Sequence, residues 1–155
     1  MNQYTQLLTY IKQLGDADPF INTVTQGNFS RIDLDKGNIF PLLHLTVTGA
    51  SFNNGSTISF SVEVAALQQR DTNKEIVNNK FWEQDNEVDN MNEMLAVLNR
   101  MWLNMFQDFQ DNNIVASENP TLSIIEPETQ TNSIEGWLLS FDVEVPNTEI
   151  SLCEC

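Results

Sequence analysis

The sequence predicts an α+β fold: a mainly antiparallel sheet covered on one face by one long and one short helix. Three observations carry the prediction. Val88 to Phe109 spaces its apolar residues by threes and fours, the period of one helical face, with no Gly or Pro to interrupt it. Thr57 to Leu67 and Gly136 to Val145 alternate apolar and polar residues, the period of strands with one buried face. Asn54-Gly55 sits between Thr57 to Leu67 and a preceding β-like run, as a hairpin turn should.

Taken in order, Gln3 to Leu14 is the short helix. Tyr4, Leu7, Leu8, Ile11 and Leu14 share a face, and Gly15 is the expected stop. Pro19 disfavours helix at Asp18, so an extended segment follows. Phe20 to Leu34 reads as one interrupted strand or a small hairpin, with Gln26-Gly27-Asn28 as a turn or a bulge. Asp35 to Asn38 is a turn.

Ile39 to Thr48 begins the hairpin. Leu43, Leu45 and Val47 fall on one face, and Leu42, His44 and Thr46 on the other. Pro41 lacks a ladder donor and belongs near the strand's start or on an edge. Gly49 to Ser56 is the expected connection. In the returning strand Ile58, Phe60, Val62, Val64 and Ala66 face the core. Ser59, Ser61, Glu63 and Ala65 face water, as an antiparallel sheet permits.

Gln68 to Asp89 is a polar linker, long for a connection without structure of its own. Phe81 and Trp82 lie within it. They either tuck onto the core or anchor a neighbouring subunit, aromatics being favoured at interface hot spots. The long helix then presents Met91, Met94, Leu95, Leu98, Met101, Trp102, Met105, Phe106 and Phe109. Gln110 to Asn113 ends it. Thr121 to Ile125 is a short strand, Glu126 to Ser133 a loop, and Gly136 to Val145 the closing strand. Trp137, Leu139, Phe141, Val143 and Val145 form its apolar face. The 155 residues make one domain, with a core over 1–146 and a tail over 147–155.

Charge bounds the function. Seven Lys and Arg oppose 22 Asp and Glu, a net charge of −15, which argues against gripping a phosphate backbone. A solvated surface, a surface that DNA can pass without sticking, and a DNA mimic all fit such acidity. No run reaches the roughly 18 apolar residues of a membrane span. The N-terminus lacks a basic start followed by an apolar block, so no signal peptide is expected, and an intracellular or assembled-particle setting follows.

Chemistry is sparse. Gly totals only 6, and no phosphate-cradling glycine motif occurs. The single His, His44, has no partner sequence for catalysis and reads as a surface or interface residue. Cys153 and Cys155 lack the further ligands of a zinc site. Neither an enzyme nor a bound cofactor or metal is expected.

The order of elements resembles the tail-completion proteins of tailed bacteriophages, which include tail terminators and head–tail joining or neck proteins. The resemblance rests on the short helix, the hairpin over Leu42 to Leu67, the long helix after a polar linker, and the closing strand that enters through Gly136-Trp137. It spans about residues 4 to 146 through element order and texture, without a diagnostic motif. The 19 Asn residues and the Cys-ending tail are similar to proteins of phages infecting Bacteroidota, the crAss-like group included.

The resemblance implies a virion protein of the neck or tail, assembled in the host cytoplasm. It would form a six-fold or twelve-fold ring of itself between portal or adaptor and tail. DNA would pass through without specific binding, and no membrane would be involved. Exposure and chemistry nominate Phe52, Asn53 and Asn54 at the hairpin tip, and Phe81 and Trp82 in the linker, as interface residues. The alternative is a small acidic inhibitor of the DNA-mimic kind; its carboxylates would array on one face, but the sequence scatters them. A third reading is an α+β domain of another assembly, such as a secretion apparatus or contractile tail.

Overall fold

A computed structural model describes residues 3–28, 39–69, 81, 87–112, 114–117, 119–125 and 134–147. The elements are α1 (Gln3–Ala17), β1 (Thr23–Gln26), β2 (Leu42–Asn53), β3 (Thr57–Gln69), α2 (Glu87–Asp111), β4 (Val115–Ala116), β5 (Thr121–Ile125) and β6 (Ile134–Pro146). The fold is α+β: among the described residues, a six-stranded, mostly antiparallel sheet and two helices.

Strand order is β1-β2-β3-β6-β4, with β5 also paired to β6. β2, β3 and β6 form the antiparallel centre, with Val64 opposite both Leu45 and Leu139. β1 joins β2 in parallel, Thr23 beside Leu42. β4 and β5 lie end to end along the outer edge of β6, Ala116 opposite Val143 and Leu122 opposite Leu139.

The alternation in β3 does what its period requires. Ile58, Phe60, Val62, Val64 and Ala66 are buried together with Leu43 and Leu45 of β2 and Leu139, Phe141 and Val143 of β6. α2 seals this face with Met94, Val97, Leu98, Met101, Met105 and Phe109, and α1 adds Leu7 and Ile11. Burying this continuous apolar layer is the main stabilising term, about 25 cal/mol for each Å² removed from water.

Several expectations need correction. α1 runs past Gly15 to Ala17, and Gly15 is buried inside it. A Cβ there would sit 2.8 Å from Leu43 Cδ2 and 2.9 Å from Val24 Cγ2, so this glycine permits close packing and is not a stop. The strand expected within Phe20 to Leu34 is observed at Thr23–Gln26, and residues 29–38 lie outside the described residues. β2 continues through Asn53, with a β-bulge between Val47 and Gly49, so the connection shrinks to a tight turn. Bulges re-aim a strand without ending its pairing. The Phe40–Pro41 bond is cis and immediately precedes β2. β4 had no counterpart in the sequence reading.

The opposite sheet face is not uniformly wet. Leu42, Ala65, Leu67 and Ile134 form a second buried cluster there, with Phe40, Ile125 and Leu138 against it. The last turns of alternation lose their polar partner here: Ala65-Ala66-Leu67 is apolar on both sides.

Candidate functional site

The hairpin tip is built by chirality and by hydrogen bonds. Asn54 and Gly55 both have positive φ, 52° and 75°, the sign pattern of a type I′ turn whose twist matches a β-hairpin. Asn and Gly tolerate that region best. Ser56 N–H donates to Asn53 O at 3.2 Å, and Asn53 Nδ2 donates to Ser59 Oγ at 2.9 Å. Asn147 N–H donates to Ser56 O at 3.0 Å, tying the tip to the end of β6. On this braced scaffold Phe52 is 71% exposed.

Phe81 is 73% exposed, so it does not tuck onto the core. Trp82 lies outside the described residues. The structure does not bring Phe81 to the hairpin tip. α2 begins at the far end of β3, where Asn90 Nδ2 donates to Gln69 O at 3.4 Å. The tip lies at the other end, about 40 Å away at roughly 3.3 Å per strand residue. The nine residues from Phe81 to Asn90, part of them helical, reach at most about 25 Å. Phe81 and the hairpin tip therefore do not share one surface.

His44 is buried, only 2% exposed, which corrects its expected surface placement. The parallel pairing of β1 covers it. Its Nε2 lies 2.9 Å from Gly27 O, which can only accept, so Nε2 carries the proton. Nδ1 then accepts from the Thr25 hydroxyl at 2.7 Å. Burial lowers its pKa below the ordinary histidine value; the bond to the Gly27 carbonyl opposes that in part.

Polar contacts tie the helices to each other. Arg100 Nε and Nη2 donate to the two Asp18 carboxylate oxygens at 3.1 and 3.0 Å, and its guanidinium stacks 5.0 Å from the Phe20 ring centre. Tyr10 O–H donates to Asp108 Oδ2 at 2.5 Å. Desolvation, then that bond and the carboxylate's charge, raise the phenol's pKa. At the start of α2, buried Asn90 donates to buried Glu135 at 2.9 Å, and Trp137 Nε1 donates to Met91 O at 3.0 Å. All are structural ties between elements.

Among the described residues, two open clefts of similar size flank α2. One, of about 410 Å³, lies between α1, the end of α2 and the end of β6, with Leu7, Tyr10, Phe109 and Val145 in its walls. The other, of about 430 Å³, lies between α2 and β5, with Leu95, Asn99, Trp102, Pro120 and Leu122 in its walls. Among the described residues no three His, Cys, Asp or Glu side chains are grouped as a metal site, and no helix is long and apolar enough to cross a membrane.

Sequence reading missed the second cleft. Leu122 and Ile124 point to the helix-covered face, since they pair with Leu139 and Trp137, yet they are 46% and 56% exposed. α2 does not extend over β5. Phe106, expected in the buried stripe, is 47% exposed, and Leu103 is 58% exposed. Leu103 stands outside the three-and-four spacing, the one signal available in sequence. No known family model matches this chain, and no curated protein matches it.

Proposed function

We propose that this chain is a structural subunit of a ring in the neck or tail of a tailed phage, joining portal or adaptor to tail around the DNA-exit channel. The observation that carries the reading is the order of elements, α1, β1, hairpin, α2, closing strand, folded as one α+β sandwich with the hairpin tip projecting into solvent. The likeness to tail-completion proteins rests on four of these elements, the short helix, the hairpin, the long helix and the closing strand. The net charge of −15 supports it further, because an acidic collar repels phosphates and lets the duplex slide. A ring requires a head-to-tail contact that closes on itself.

Negative-stain imaging of the purified protein at raised concentration, with mass spectrometry of the parent particles, tests the reading. Closed six-fold or twelve-fold rings, and the chain present in particles, are expected. Absence of the chain from particles refutes it.

A further inference from the structure

A strand at the rim of a sheet leaves a row of N–H and C=O groups without a ladder partner. Here the rims are β1 on one side and β5, beyond β6, on the other. Among the described residues, no main chain pairs with the outer side of either strand. Neither Thr23–Gln26 nor Thr121–Ile125 contains a charge or a proline, two common guards against strand addition.

The two rims match each other. Across the sheet, Val24 pairs with Leu43, Leu43 with Ala66, Ala66 with Trp137, and Trp137 with Ile124. The next row on the same face runs Gln26, Leu45, Val64, Leu139, Leu122. The rims therefore lie at one level along the strands, although β2 and β3 run on well past it to the hairpin tip. They also point in opposite directions. β1 is parallel to β2 and hence to β6, whereas β5 is antiparallel to β6. A second copy set beside the first, without slip and without turning over, brings its β1 antiparallel to β5. Ile124 then faces Val24 of that copy and Leu122 faces its Gln26, all on the helix-covered face.

We propose that the outer edge of β5 in one copy pairs with the outer edge of β1 in the next, so that one sheet continues into the other. The inference rests on the ring reading and names its contact. Exposed apolar side chains select β1 as the occupant. Leu122 and Ile124 point to the helix-covered face yet stay exposed, because α2 does not reach over β5. α1 stands over β1, with Gly15 close against Val24. A helix is about 10 Å wide and strands are about 4.8 Å apart, so the flank of α1 overhangs whatever pairs with β1. Joining β5 to β1 of the next copy thus brings that copy's α1 alongside Leu122 and Ile124. Two β5 edges joined to each other would satisfy the same main-chain groups but bring no helix over either. Because the paired edges differ, the contact is head-to-tail, and repeats into a closed ring or an open filament. Four facing residue pairs make about four main-chain bonds, well below the 20–30 residues a side of a standard interface. Each pairwise contact is therefore weak, and assembly depends on concentration.

Disulfide trapping tests this. In full-length protein with Cys153→Ser and Cys155→Ser, Gln26→Cys marks one rim and Leu122→Cys the other; both positions are exposed. Directly opposed residues of paired strands have Cβ atoms about 4.5–5.5 Å apart, close enough for a disulfide after slight adjustment. Within one copy the two rims are about 19 Å apart, four strand spacings, so no bond forms there. Circular dichroism confirms folding of each variant. Mixed at high concentration under mild oxidation, the two single variants should bond to each other and neither to itself. The double variant should give a ladder of multimers. Ile124→Lys, which puts a charge on the rim and under the neighbour's α1, should cut the ladder about tenfold or more.

Leu122→Cys bonding to itself as readily as to Gln26→Cys would overturn the proposal in favour of a two-fold dimer. So would no mixed disulfide at concentrations up to millimolar, or a ladder that Ile124→Lys leaves unchanged. Closed rings in images without the mixed disulfide reject the contact and leave the ring reading standing. The ladder, with the chain absent from particles, keeps the contact and rejects the neck assignment.

Discussion

Replacing Gly136 by alanine puts a methyl group where the backbone of the neighbouring strand already lies. The ideal Cβ would stand 1.9 Å from Ala66 O, 3.0 Å from Ala66 C and 3.2 Å from Leu67 Cα. Real Cβ atoms essentially never come within 3.0 Å of such atoms, so the Cβ–oxygen distance must grow by at least 1.1 Å (3.0 minus 1.9). Nothing flexible can give way, because the obstacle is main chain at the sheet's centre, where Gly136 pairs with Leu67. A ladder bond of ordinary length stretched by that much ceases to be a hydrogen bond.

Two such bonds lost at roughly 1 kcal/mol each, with their buried groups left unsatisfied, cost about 3–5 kcal/mol. Against a total stability of about 5–15 kcal/mol this is severe. With a urea m-value of roughly 2 kcal/mol/M, the midpoint should fall by about 2 M. Gly15→Ala is the control, since it adds the same methyl against the far ends of the Leu43 and Val24 side chains. Side-chain ends can shift where main chain cannot, and alanine in a helix interior recovers up to about 1 kcal/mol. Its net cost should stay below roughly 1.5 kcal/mol. If Gly136→Ala costs no more than Gly15→Ala at unchanged m-value, the β3–β6 register and the reason for this glycine are wrong.

Four further outcomes follow from the packing. Met94→Ala, at a fully buried core position, should cost about 2–5 kcal/mol in urea unfolding, and Leu103→Ala no more than about 0.5 kcal/mol. Equal losses would contradict the placement of α2. Asn90→Ala removes a donor from buried Glu135 and should cost about 1–3 kcal/mol, measured the same way. Arg100→Lys keeps the charge but loses the two-pronged bond to Asp18 and the stacking on Phe20, an expected loss of about 0.5–1 kcal/mol, the guanidinium being partly exposed.

His44 sets a pH dependence. Its folded pKa is lowered, so below the unfolded value of about 6.5 the unfolded chain binds more protons than the folded one. Its contribution is complete above pH ~6.5 and declines as pH falls toward the folded pKa. Stability of the wild type relative to His44→Gln should be flat from pH 8 to 7 and fall by up to about 1.4 kcal/mol per pH unit below 6.5. A relative stability that rises on acidification would contradict a neutral, buried His44.

Periodicity and turn chemistry determined the architecture. The three-and-four spacing from Met94 to Phe109, the alternation from Ile58 to Ala66 and the Asn54-Gly55 pair act within a few residues of themselves, so one chain segment specifies each. Composition likewise determined the acidity, and exposure of the hairpin tip followed from its polar, turn-forming residues.

Tertiary structure alone decided what covers what. His44 reads as polar in its strand, yet β1, paired in parallel from far along the chain, buries it. Gly15 reads as a helix stop, and only the approach of Leu43 and Val24 reveals a packing role. Leu122, Ile124 and Phe106 look like core residues, and the limited reach of α2 over the sheet leaves them open to solvent. Local pattern selects which face of an element is apolar. Whether that face meets a partner depends on the positions of elements distant in sequence, and no local period encodes those.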